Sequence, residues 1–225
     1  MYYQLNGLVL NVRVCGEADK SATIYTREWG KISALVPGAK KIKAKLGAAT
    51  EPVVEGEYLV YMAGPQARAK VTGAKISDGF MPLRTDWRRF TVASACSEVT
   101  DLLTPFNMEN SQKYDLLART WKLLETAKHP WRIFNAFTLR FLRLSGYSFV
   151  EYIKRENSAA AVDKTEFEAI RKFSTLSGEE VDGETGISEA LENRVSRHLD
   201  RYLSIYIQRP MMTKIFWQKV ESKHK

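Results

Sequence analysis

Cysteine is nearly absent from this 225-residue sequence, which holds only Cys15 and Cys96. Two thiols cannot complete a four-ligand zinc site or form a disulfide framework, so the chain must be held by its core, and a reducing cytoplasm is the expected setting. Histidine is scarce as well: His129, His198 and His224 stand far apart and share no companion pattern. There is no Gly-x-Ser-x-Gly elbow, Walker loop, dinucleotide glycine fingerprint or His-Glu-x-x-His motif, and nothing argues for an enzyme. His198, beside Asp200, reads as a surface or partly packed side chain rather than a catalytic base. Glu179, Glu180, Asp182 and Glu184 lack the alternation of a calcium loop and read as a solvated polar loop, so no metal and no cofactor are expected. No apolar run approaches the roughly 20 residues that cross a membrane, and Met1-Tyr2-Tyr3-Gln4 lacks the basic start of a signal peptide. A soluble protein without membrane contact is expected.

What the sequence does have is positive charge. Lys and Arg number 34 against 26 Asp and Glu, a formal net charge of +8, which suits a polyanionic partner such as nucleic acid. The charge is concentrated in the run from Thr26 to Pro52. Ile24-Tyr25-Thr26 leads into Arg27-Glu28-Trp29-Gly30, and Lys31 to Val36 leads out, which predicts a hairpin turned at Gly30. Pro37-Gly38 then ends the second strand. Lys40, Lys41, Lys43 and Lys45 follow with no acid among them.

The apolar period changes near residue 80. Before it, short β-rich segments at Gly7–Val14, Ala22–Thr26, Lys31–Val36, Val53–Met62 and Ala67–Ile76 alternate with Gly and Pro breaks. Five short strands in about 80 residues favour a small closed barrel, since an open sheet would expose its edges; an oligonucleotide-binding (OB) fold leads. After residue 80 the spacing is helical. Trp87, Phe90, Ala93, Cys96 and Val99 mark one helix, ended by Pro105. Tyr114, Leu117, Trp121 and Leu124 mark the next. Pro130 opens a helix in which Trp131, Phe134, Phe137, Phe141 and Leu144 form a stripe stopped by Gly146. Leu139 and Leu142 give that helix a second apolar face, which predicts a central position, with Arg132, Arg140 and Arg143 on what remains. A short helix is expected from about Asp163 to Phe173. Ser188 caps a longer one carrying Leu191, Val195, Leu199, Tyr202 and Tyr206. The fold class is α+β: an N-terminal five-stranded barrel at 1–80, then an α-helical domain at 81–225.

Several blocks carry a family resemblance. Gly16 to Lys20, Thr26 to Ala34, Gly38-Ala39-Lys40-Lys41, Leu46-Gly47-Ala48 and Glu51-Pro52 resemble the N-terminal barrel of the bacterial recombination mediator RecO. Phe137 to Tyr147 is similar to that family's central Leu/Arg-rich helix ending in Gly-Tyr. Tyr202 to Phe216, with its Arg209-Pro210 turn, resembles the C-terminal helix. Each block is weak alone; their order along most of the chain is specific. One departure is plain: many members carry a cysteine zinc module after the Gly-Tyr block, and the corresponding stretch here, about 149–186, has no cysteine. It must hold its shape by packing or stay mobile.

The resemblance implies a DNA repair mediator of the RecF pathway. Such a protein binds single- and double-stranded DNA, anneals complementary strands coated with single-stranded-DNA-binding protein (SSB) and, with RecR, promotes RecA loading in the cytoplasm at the nucleoid. The chemistry is non-covalent. Lys40, Lys41, Lys43 and Lys45 are the expected DNA-binding residues, with Lys20, Arg27 and Lys31 in support; Trp29 either stacks on a base or caps the barrel. The acidic, apolar-ended SSB tail calls for an apolar slot flanked by cations, and Arg132, Arg140 and Arg143 are the expected docking residues. The alternative is an OB-type RNA-binding or scaffold protein without annealing activity.

Overall fold

The computed structural model describes residues 1–40, 46–64, 68–155 and 162–222. Its first part is a closed barrel of five strands: β1 (Tyr2–Cys15), β2 (Asp19–Thr26), β3 (Gly30–Val36), β4 (Glu55–Tyr61) and β5 (Ala69–Asp78). The strand order is β1-β2-β3-β5-β4, closed by β1 against β4, with β3 and β5 parallel and the other pairs antiparallel. Strand β1 is long enough to serve two neighbours. Its first half pairs with β4 and its second with β2, and a bulge between Val9 and Asn11 bends it from one to the other. Leu5, Val9, Ala22, Ile24, Ile32, Ala34, Tyr58, Val60 and Val71 fill the interior. Gly7 leaves room there, because a Cβ would stand 2.5 Å from Ile24 Cγ2.

The strands start and stop a few residues from their expected bounds, and one shift has a clear cause. The fourth begins at Glu55 rather than Val53, because Val53 has φ +59, outside strand geometry. Its N–H donates to Val9 O at 3.0 Å and its buried side chain belongs to the helical core, so the connection crosses from loop to strand in a left-handed step.

Helices follow: α1 (Met81–Arg84), α2 (Trp87–Leu103), α3 (Ser111–Leu124), α4 (Pro130–Leu144), α5 (Phe149–Arg155), α6 (Lys164–Thr175), α7 (Gly178–Gly183), α8 (Glu189–Leu203) and α9 (Met212–Glu221). Asp86, Asn110, Asp163, Ser177 and Ser188 cap five of them by accepting from first-turn N–H groups. Helix α4 is central, as its two apolar faces require. Phe134, Phe137, Phe141 and Leu142 are fully enclosed, and α2, α3, α6, α7 and α8 pack around them. No described helix is long and apolar enough to cross a membrane.

Two expectations change here. The acidic segment after Ser177 is a helix, not a loop: Ser177 and Glu180 form a reciprocal capping box, and Val181 is buried. Gly178 lets it approach α3, since a Cβ there would stand 2.3 Å from Leu123 Cδ2. The acids serve local bonds, with Asp182 accepting from the Lys128 and His129 N–H groups and Glu184 pairing with Lys172. Helix α8 also ends at Leu203, leaving Tyr206 outside it.

The stretch without cysteines holds its described shape by packing. Phe149, Ile153, Ile170 and Phe173 are buried, and Glu166, 5% exposed, accepts from Arg194 at 2.7 Å and lies 3.2 Å from His198. Those bonds tie α6 to α8. They also give His198 a partly packed, structural place.

Candidate nucleic-acid interface

The barrel's outer surface divides into a covered and an open side. On the covered side Leu8, Leu10, Tyr25 and Val53 point outward and join the helical core, so barrel and helices share one apolar interior. Tyr25 donates to Asn110 O at 3.3 Å, and burial pushes its hydroxyl up to about 12. Tyr114 donates to Glu55 Oε1 at 2.9 Å. The segment between α2 and α3 runs along β3, where Asn107 N donates to Lys31 O at 2.9 Å. Gly30, at φ +68, both turns the hairpin and admits this segment. A Cβ there would stand 1.9 Å from Met108 O.

Three expected DNA-binding cations are engaged inside the protein. Lys31 is 5% exposed; its ammonium bonds Asp101 Oδ1 at 3.0 Å and lies 4.5 Å from the Phe106 ring centroid. Arg27 bonds Asp115 and lies over the Tyr114 ring at 4.6 Å, and the carboxylate raises its pKa further. Both brace the seam between barrel and helices. Lys20 pairs with Glu51 at 2.6 Å in the connection leading to β4. Trp29 packs edge-on to Tyr3 at 4.5 Å, against the barrel core. Lys41, Lys43 and Lys45 lie outside the described residues. Lys40 is exposed, with no side-chain partner among them, and its N–H donates to Ala18 O at 3.0 Å. Lys40 therefore stands beside the β1–β2 turn.

The open side carries cations that the sequence reading missed. The ladders align Arg13 with Ser21, Ser21 with Leu35, Leu35 with Lys70, Lys70 with Tyr61 and Tyr61 with Tyr2, one outward-facing row across all five strands. Arg13 and Lys70 are exposed and make no ion pair among the described residues. Arg68, entering β5, donates to Ser21 Oγ at 3.0 Å and lies 3.8 Å from Cys15 Sγ, joining the β4–β5 connection to the β1–β2 end. Tyr2 and Tyr61 end the row with ring centroids 5.1 Å apart, 65% and 37% exposed. No acid interrupts it. The arrangement offers cations for phosphates and ring faces for bases. Alternation along Asn11-Val12-Arg13 marks Arg13 as outward, but register alone brings it into line with Lys70.

The three docking arginines separate. Arg132, expected on an open face, is 4% exposed: its Nε bonds Glu192 at 3.1 Å and its other nitrogens donate to Glu184 O and Ile187 O. The connection from α7 to α8 covers that side of α4. Arg140 instead lines a cleft of about 780 Å³ between α3, α4 and α7, floored by Leu116 and Leu123 and shared with Arg119 and Lys122. One guanidinium nitrogen of Arg140 is buried without a partner, and burial with Arg143 nearby lowers its pKa. Arg143 is exposed and lines a smaller hollow beside α5 and α6.

Comparison with known proteins adds a family to this geometry. Residues 1–80 match the model of the recombination protein O N terminal region, and residues 84–150 that of its C terminal region, together about two thirds of the chain. The DNA repair protein RecO of Heliobacterium modesticaldum is 34% identical over 145 residues, covering 64% of this chain and 52% of that protein. Those of Clostridium perfringens and Streptomyces coelicolor are 30% and 31% identical, with 63% and 64% of this chain and 57% and 60% of theirs covered. The matched region thus spans between half and three fifths of these relatives.

Proposed function

Because the chain belongs to the recombination protein O family, we propose that it is a DNA repair mediator that binds single- and double-stranded DNA and anneals complementary strands. The reading extends to strands coated with SSB and, with RecR, to loading of RecA. The acid-free row from Arg13 through Lys70 to Tyr61 carries it. Two strands meeting in water repel along their whole length; a surface that neutralises phosphates of both lowers that barrier without covalent chemistry. Lys40 would extend the surface from one end, and Lys41, Lys43 and Lys45 stay candidate DNA-binding residues by their charge alone. Tyr2 and Tyr61 would hold unpaired bases until a complement arrives, at about 1–3 kcal/mol per stacked base.

The Arg140 cleft supplies the second part. An apolar floor between Leu116 and Leu123, rimmed by Arg119 and the unpartnered Arg140 nitrogen, suits an acidic tail that ends in an apolar residue; of the other charged lining groups Lys122 is held by Asp78 and Glu125, Asp115 by Arg27, and Glu179 stands at the α7 edge. Arg132 has no part in it, and Arg143 stands outside.

Annealing measured with bare and with SSB-coated oligonucleotides tests both parts at once. Arg13→Ala/Arg68→Ala/Lys70→Ala should slow both reactions about tenfold or more. Arg119→Ala/Arg140→Ala should slow only the coated one. Wild-type annealing no faster than the spontaneous rate would remove the mediator reading and leave an OB-type nucleic-acid binder or scaffold.

A further inference from the structure

Six buried side-chain polar atoms lack a hydrogen-bond partner among the described residues, and five of them are on α4, among them Nε1 of Trp131 and both amide atoms of Asn135. Asn135 is 1% exposed. A buried amide with neither its donor nor its acceptor engaged is costly, and native folds rarely keep one without a use. Both residues line one cleft of about 550 Å³, floored by α4 and walled by α8 and α9. Helix α9 packs on α2 and leaves this side open.

The cleft reverses the charge of the protein around it. Glu189, Glu192, Asp200 and Glu221 line it against only Arg197 and Lys214. Arg132 engages Glu192 and Lys214 engages Asp200, so Glu189 and Glu221, with Arg197 as the one opposing charge, remain exposed without an ion partner among the described residues. Trp131 and Trp217 meet at 5.1 Å, 71° apart, and offer aromatic faces beside those carboxylates. Lys214 shows what such a setting holds: its ammonium is paired with Asp200 and lies 4.8 Å from the Phe134 centroid and 5.9 Å from that of Trp131.

We propose that the α8–α9 cleft binds an arginine-bearing peptide segment of a protein partner. The occupant must bring donors, for Asn135 Oδ1 and the two free carboxylates, and also acceptors, for Trp131 Nε1 and Asn135 Nδ2. A metal cation brings no acceptor. A phosphodiester brings no donor, and among the described residues it meets two free carboxylates against one unpaired guanidinium, Arg197. An arginine residue in a peptide brings both, through five guanidinium N–H groups and its backbone carbonyl, and its planar cation suits a tryptophan face.

The test is titration of the whole 225-residue protein with acetyl-Gly-Arg-Gly-Arg-amide, followed by calorimetry and tryptophan emission. Acetyl-Gly-Glu-Gly-Glu-amide and oligo(dT) serve as the comparison. The arginine peptide should bind and shift the emission. Glu189→Gln/Glu221→Gln should weaken it about tenfold without weakening DNA affinity. Asn135→Leu, which exchanges the orphaned amide for an apolar group of similar size, should weaken it too. Absence of binding by the arginine peptide, equal affinity in Glu189→Gln/Glu221→Gln, or a response in this cleft to the acidic peptide or to DNA instead would overturn the proposal.

Discussion

The covered and open sides of one barrel use the same residue types for opposite ends. On the covered side Arg27 and Lys31 reach acids on α3 and α2 and lie over aromatic rings. On the open side Arg13, Lys40 and Lys70 reach no acid among the described residues, and Arg68 meets only Ser21 and Cys15. A cation already paired inside the fold gains little by meeting phosphate; an unpaired one can replace a counterion condensed on DNA, whose release favours binding. In the proposed interface the cations that matter are those left uncompensated after folding, which local cation density in the sequence does not separate from paired ones.

The comparison breaks hardest at Gly30. Gly30→Ala must place a Cβ against Met108 O at a left-handed φ, so chemical denaturation should show a loss of about 4 kcal/mol or more. Lys31→Met comes next: it keeps the stem but leaves the Asp101 carboxylate only Arg209, at 3.8 Å, which should cost about 2 kcal/mol. Intrinsic DNA affinity of the folded protein should stay unchanged in both. Arg27→Ala is the mildest, since both partners are more than a third exposed, and the loss should stay below about 1 kcal/mol. A Lys31→Met protein of full stability and weakened DNA binding would place the interface on the side now assigned to the seam.

Much of this was legible before folding, and the boundary is physical. Five alternating segments with Gly and Pro breaks sufficed for the barrel, and the stripe from Trp131 to Leu144 sufficed for the central helix. Both signals are local. Lys31 looked free because its acid stands 70 positions away on α2, and Arg132 because Glu192 is 60 positions off. The row from Arg13 to Lys70 exists only through strand register. The helix after Ser177 was different: its Ser-x-x-Glu capping signature was present, but two glycines and several acids outweighed it.

The most direct measurement is the dependence of single-stranded DNA affinity on salt. Each lost phosphate contact lowers the slope of log K against log salt by about 0.7. Arg13→Ala/Arg68→Ala/Lys70→Ala should therefore flatten the slope by about 2, while Lys20→Ala/Arg27→Ala leaves it unchanged. Equal flattening in the two variants, or flattening in the second alone, would contradict the division between open and engaged cations.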